Sequence, residues 1–89
     1  MTQVYRQKPG IPARNVEGVM AVITPHSSEI HRLNAAGAVI WEACAEGATR
    51  AQLLDALLDA YEVSPEVATA DLNQFLDEAT QKGILVVST

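Results

Sequence analysis

Cysteine, histidine, aromatic residues and positive charge are all scarce in this 89-residue sequence, and each scarcity closes a set of functions. The single cysteine, Cys44, cannot form an intrachain disulfide and has no cysteine partner for a zinc site, which fits a reducing cytoplasm. No basic residue adjoins it in sequence to lower its pKa, so it reads as a packed helix residue rather than a nucleophile. The only histidines, His26 and His31, fall on no shared helical face and leave a tetrahedral metal cage two ligands short. The longest apolar run is the five residues Val19–Ile23, whereas a membrane-crossing helix needs about 18. Met1 to Gly10 is polar and lacks the apolar stretch of a signal peptide. The scattered glycines build neither a phosphate-cradling loop nor a dinucleotide fingerprint. The expectation is a cytoplasmic chain with no catalytic constellation, no metal and no cofactor.

Six Lys and Arg stand against eleven Asp and Glu, a formal charge of -5. The imbalance is local. Residues 1–48 carry four charges of each sign, while residues 49–89 carry Arg50 and Lys82 against seven acids. A nucleic-acid binder must displace phosphate counterions with cations, so the C-terminal half is poorly suited to DNA.

What is present is 48% hydrophobic residues arranged with clear periodicity. Ile11 to Val16, the turn signal Glu17-Gly18, and the continuous apolar run Val19–Ile23 read as a hairpin whose second strand is buried on both faces. The turn formers Thr24-Pro25-His26-Ser27-Ser28 follow. Glu29-Ile30-His31-Arg32-Leu33 then alternates polar with apolar, as a half-buried or edge strand does.

From Asn34 the period lengthens to that of a helix. Asn34 suits an N-cap, with Ala36, Val39, Ile40 and Ala43 on one face, and Trp41 is assigned to core packing. After Gly47, Thr49 and Gln52 have capping-box spacing before the stripe Leu53, Leu54, Leu57, Leu58 and Tyr61. Ser64-Pro65-Glu66 starts a third helix, with Ala68, Leu72, Phe75, Leu76 and Ala79 toward the core and Gly83 at its end. Ile84–Val87 returns as an extended tail. Strands segregated before helices predict an α+β, winged-helix-like fold: a three-stranded antiparallel sheet followed by a three-helix bundle over residues 11–89, preceded by a flexible arm over residues 1–10.

Arg14-Asn15-Val16 before an apolar strand, Leu33-Asn34-Ala35-Ala36-Gly37 running into Ile40-Trp41-Glu42, Gly47-Ala48-Thr49, Tyr61, Asp71-Leu72 with Phe75-Leu76, and Gly83-Ile84-Leu85 together resemble the PqqD-like family. The resemblance spans Arg14 to Leu85. It implies a three-stranded sheet followed by three helices, and a non-catalytic peptide chaperone. Such a chaperone binds the leader of a ribosomally made precursor peptide and holds it for a modifying enzyme, a radical S-adenosylmethionine enzyme in pyrroloquinoline quinone synthesis.

In that family the leader adds as a strand to the third strand and rests on the third helix, which here places it along Glu29, Ile30, His31, Arg32 and Leu33. On the third helix, Val67, Ala70, Asp71, Gln74 and Glu78 form a stripe beside the core face that would flank the guest. Asp71 either fixes register against a basic leader residue or pairs with Arg14 or Arg32 inside the domain. Members dedicated to pyrroloquinoline quinone typically carry proline-glutamate-glycine before the third strand and aspartate-glycine after the first helix. This chain has Thr24-Pro25-His26 and Glu46-Gly47, which leaves other modified peptides open as the guest. An exposed edge and a loose arm also allow a strand-swapped homodimer. The rival reading is a winged-helix DNA-binding regulator, and a helix carrying Glu66, Asp71, Asp77 and Glu78 counts against it.

Overall fold

The computed structural model describes residues 2–24 and 27–88. Pro25 and His26 of the expected turn, and Met1 and Thr89, lie outside the described residues, and with His26 so does the expected separation of the two histidines. The elements run β1 (Val4–Gln7), β2 (Ala13–Val16), β3 (Val19–Thr24), β4 (Glu29–Leu33), α1 (Ala35–Ala43), β5 (Ala48–Thr49), α2 (Arg50–Ala60), α3 (Pro65–Gln81) and β6 (Leu85–Ser88). Strands β2, β3 and β4 form the expected antiparallel sheet, in that order, and three helices follow it. Glu17 and Gly18, with φ of 54° and 83°, make the two-residue turn between β2 and β3. Positive φ at both central positions matches the twist of the flanking strands, and glycine is suited to it. Asn15 Oδ1 accepts from the Gly18 amide at 3.0 Å and fixes the turn.

Each helix begins where its cap residue predicts. Asn34 Oδ1 accepts from the Gly37 amide at 2.7 Å, and Ser64 Oγ from the Val67 amide at 3.2 Å with Pro65 in the first turn. Thr49 and Gln52 exchange both bonds of a capping box. These caps satisfy amides that have no partner within the helix. Ile40, Trp41, Leu53, Leu57, Leu72 and Leu76 then meet Val22 of β3 in one core.

Residues 1–10 depart from the expectation of a loose arm. Val4–Gln7 pairs antiparallel with both β5 and β6, so the chain has a second three-stranded sheet, β5-β1-β6. Tyr5 is buried, its hydroxyl accepts from Arg50 Nη2 at 3.0 Å, and the Arg50 guanidinium lies over the ring. Gln7 Nε2 donates to the Trp41 carbonyl at 2.7 Å. The polar side chains at Arg6 and Gln7 hid this strand, because what holds it is backbone pairing to a distant segment. The extended tail is β6, the other half of that pairing.

The apolar run Val19–Ile23 is the other departure. Val22 is fully buried, but Val19 is exposed and Ala21 and Ile23 only half-buried. The helices cover one face of β3 and leave the other open.

Replacing Tyr5→Ala removes a buried aromatic ring, and should cost about 3–5 kcal/mol of stability in a denaturant melt; a loose arm would make the change silent. Cys44 is fully buried, and desolvation pushes its thiol from 9.0 up to about 11. Native protein at pH 8 should therefore resist thiol reagents and label only on unfolding. Between pH 9 and about 11 the unfolded thiol ionises while the folded one keeps its proton. Stability should fall as pH rises through that window, and a Cys44→Ala variant should lose that component of the pH dependence.

Candidate functional site

The free edge of the main sheet is set by the bonding alternation of β3. The Ile23 amide donates to the Pro12 carbonyl at 2.9 Å, toward the β2 side. Successive residues of a strand point their backbone groups to opposite sides. The backbone groups of Met20, Val22 and Thr24 therefore face β4, opposite Leu33, His31 and Glu29. By the same alternation Ile30 and Arg32 direct their amides and carbonyls away from β3, to the open edge. An incoming strand would find two donors and two acceptors there.

Side chains sort the other way. His31 and Leu33 share the inner row with Val22 and Met20 and look toward α3, while Ile30 and Arg32 stand on the outer face with Ile23 and Ala21. Glu29 is exposed beside the turn, and its carbonyl accepts from Thr24 Oγ1 at 3.3 Å, so it contributes little to the edge.

Between β4, the start of α1 and one side of α3 runs a cleft of three adjoining hollows, of ≈ 260, 160 and 110 Å³. The hollow nearest β4 is walled by His31, Leu33, Phe75, Glu78, Ala79 and Lys82. The middle one has Asn34, Ala36, Gly37 and Ile40 facing Asp71, Gln74, Phe75 and Glu78. The third continues past Asp71 to Leu57, Tyr61, Val63 and Ala68. Of the helix residues expected to flank a guest, Asp71, Gln74 and Glu78 line this cleft, and Gln74 Nε2 donates to Glu78 Oε1 at 3.2 Å. Val67 and Ala70 are exposed and are not among its lining residues. Arg14 lies on the outer face of the sheet, far from the internal pairing with Asp71 weighed above.

Phe75, Ala79 and Lys82 complete the helix wall and were not among the expected site residues. Their phase was available, since Asp71, Phe75, Glu78 and Lys82 lie at i, i+4, i+7 and i+11. Phe75 packs against the core, as its apolar side chain predicts, and being only half-buried it also lines two of the hollows. Gly37 permits this. A Cβ there would sit 3.0 Å from Phe75 Cε1 and 3.2 Å from the capping Asn34 Oδ1. His31 adds a chemical feature: its Nε2 is buried with no hydrogen-bond partner among the described residues. Such an atom carries a desolvation cost that a bound polar group could relieve. No group of three His, Cys, Asp or Glu side chains suited to a metal occurs among the described residues. No helix there is long and apolar enough to cross a membrane.

Residues 20–85 match the family model for coenzyme PQQ synthesis protein D, PqqD. The chain belongs to the PqqD family. The match covers β3, β4, all three helices and the start of β6, and so includes every wall of the cleft. Two solved structures share the fold. One is TbiB1 in complex with the TbiA(beta) leader peptide, with a TM-score of 0.79 at 21% identity, covering 90% of this chain and 93% of that one. The other is a lasso peptide synthetase B1 complexed with the leader peptide, with a TM-score of 0.79 at 23% identity, covering 92% and 96%. No curated protein sequence gives a significant match.

The crowding at Gly37 can be measured. Glycine to alanine inside a helix is ordinarily worth about 1 kcal/mol, or roughly 4–8 °C of melting temperature in a domain this small. Gly37→Ala should show no such gain, because it presses on both Phe75 and the Asn34 cap. A rise of that size would mean that Phe75 swings aside freely.

Proposed function

We propose that this PqqD-family chain is a non-catalytic, cytoplasmic recognition module that binds the leader of a ribosomally made precursor peptide and presents it to a modifying enzyme. The observation that carries the reading is the conjunction of an unpaired β4 edge with a side-chain cleft directly beside it. Strand addition supplies affinity through main-chain bonds largely independent of sequence, and pockets along the edge supply selectivity. Both solved structures that share the fold hold a leader peptide, which supports leader binding as the activity.

The guest pairs its backbone with Ile30 and Arg32. Its alternate side chains enter the cleft between His31 and Leu33 on one wall and Phe75 and Ala79 on the other. Asp71 and Glu78, both exposed along the helix wall, favour a basic or neutral guest, and Lys82 marks the opposite end. The same exposed acids on α3, with Glu66 and Asp77, would repel a phosphate backbone, and nothing in the fold favours the DNA-binding alternative. The guest is a leader peptide of the pyrroloquinoline quinone type or of another modified peptide. A radical S-adenosylmethionine enzyme is one candidate recipient.

Titration with the precursor peptide encoded beside this chain, followed by amide chemical shifts, tests the reading. Shifts should concentrate on β4 and the cleft wall of α3 at about 100 μM peptide or below. If both regions stay silent at that concentration, the reading fails. Arg32→Pro removes an outward amide that makes no bond to β3, so it should weaken the guest about tenfold while the domain still folds. Wild-type affinity in that variant would argue against strand addition. His31→Leu should have opposite effects on two measurements, raising the melting temperature of the free protein by removing the unsatisfied nitrogen and lowering affinity for the guest.

A further inference from the structure

Strand alternation places a second surface on the far side of the same sheet. Antiparallel sheets with one face in water ordinarily turn polar residues outward. Here the outward row is Val16 from β2, Val19, Ala21 and Ile23 from β3, and Ile30 from β4, and together they line a hollow of ≈ 460 Å³. Val16 is 55% exposed and Ile30 63%, so these side chains are in solvent rather than under a loop. The apolar run Val19–Ile23 has the composition of a strand covered on both faces, and this chain covers one.

Charge narrows what can cover the other. Arg14 and Arg32 stand on either side of Ala21, directly opposite it in the two ladders, and both line the hollow. The arginine hydrogen bonds among the described residues belong to Arg6 and Arg50 instead. Glu17 at the turn is the one acid on the rim. In a chain of net charge -5, whose excess acid lies beyond residue 48, this face is cationic around an apolar centre. A second copy packed face to face would bring four arginines together, and a copy packed by its acidic helices would make a head-to-tail contact instead of the two-fold one usual in homo-oligomers.

We propose that this outer face docks an acidic surface with an apolar centre on the modifying enzyme, and that a bound leader strand completes the docking face. The inference rests on the peptide-binding reading above. A guest strand added to β4 becomes the fourth strand of this sheet, and every second side chain of it falls in line with Ile30 and Arg32. An enzyme seated on the face then touches domain and guest together, so each should bind more tightly in the presence of the other. Presentation becomes recognition of a composite sheet.

The test is calorimetric titration of the full chain with the modifying enzyme encoded beside it, with and without the leader peptide, at low and high salt. Enzyme binding should be tighter with leader present and should weaken as salt rises. Arg14→Glu combined with Val16→Asp should weaken enzyme binding by about tenfold or more while leaving leader affinity within about twofold. Retained leader binding also shows that the variant folds, and Arg14→Glu alone should give a smaller loss in the same direction. Unchanged enzyme affinity in the variants, or no enzyme binding by the wild type, overturns the inference while leader binding leaves the earlier reading intact. Failure of the wild type to bind the leader instead removes that reading. A wild-type dimer in sedimentation that dissociates in the double variant would assign the face to a second copy, and would overturn the inference as well.

Discussion

Three helices of nine, eleven and seventeen residues offer a limited apolar surface, and this chain commits it to one side of two small sheets. Ile40, Trp41, Leu53, Leu57, Leu72 and Leu76 converge on Val22, Tyr5 and Leu85, and none of the helices covers the reverse of β3 or pairs with the outer edge of β4 among the described residues. In a chain this short a larger share of surface stays exposed than in a larger domain. The free edge, the cleft and the bare outer face are three results of the same shortage. What differs among them is chemistry: unpaired main-chain groups at the edge, mixed polar and apolar side chains in the cleft, and arginines around aliphatic residues on the far face.

Much of the fold was legible because local signals agreed with one another. Asn34, Thr49 and Ser64 each cap the helix they announce, Glu17-Gly18 turns where it should, and β4 has the alternation of an edge strand. The N-terminal strand was not legible. Val4–Gln7 is held by pairing with β5 and β6 and by Arg50 over Tyr5, interactions with the middle and the far end of the chain that leave no periodic trace in four residues. Run length misled at β3 for a related reason. Five apolar residues in succession state that both faces can be buried, and do not say whether the same chain buries them.

The edge strand was legible in the sequence, and the cleft beside it only partly. Helical phase marks a line of residues, but where along that line the cleft begins depends on how α1 crosses α3, and Gly37 against Phe75 sets that crossing. Val67 and Ala70 therefore share the helical stripe without lining the cleft, while Phe75 packs against the core and lines the cleft as well. Apolar residues at the boundary of a small core have two roles at once, and hydrophobicity alone reports only one of them.

The pairing of β1 with β6 sets Val4 against Ser88 and so closes almost the whole chain into one loop. Closure entropy grows with the length of the loop, though slowly, whereas the two hairpins joining β2, β3 and β4 close over only a few residues. Contacts of low sequence separation form fastest, which places the β2-β3-β4 sheet early in folding and the β1–β6 ladder late. During synthesis the hairpins and α1 can emerge before the residues of β6 have been added. The second sheet is in this sense a latch, set only after the β2-β3-β4 sheet has taken shape.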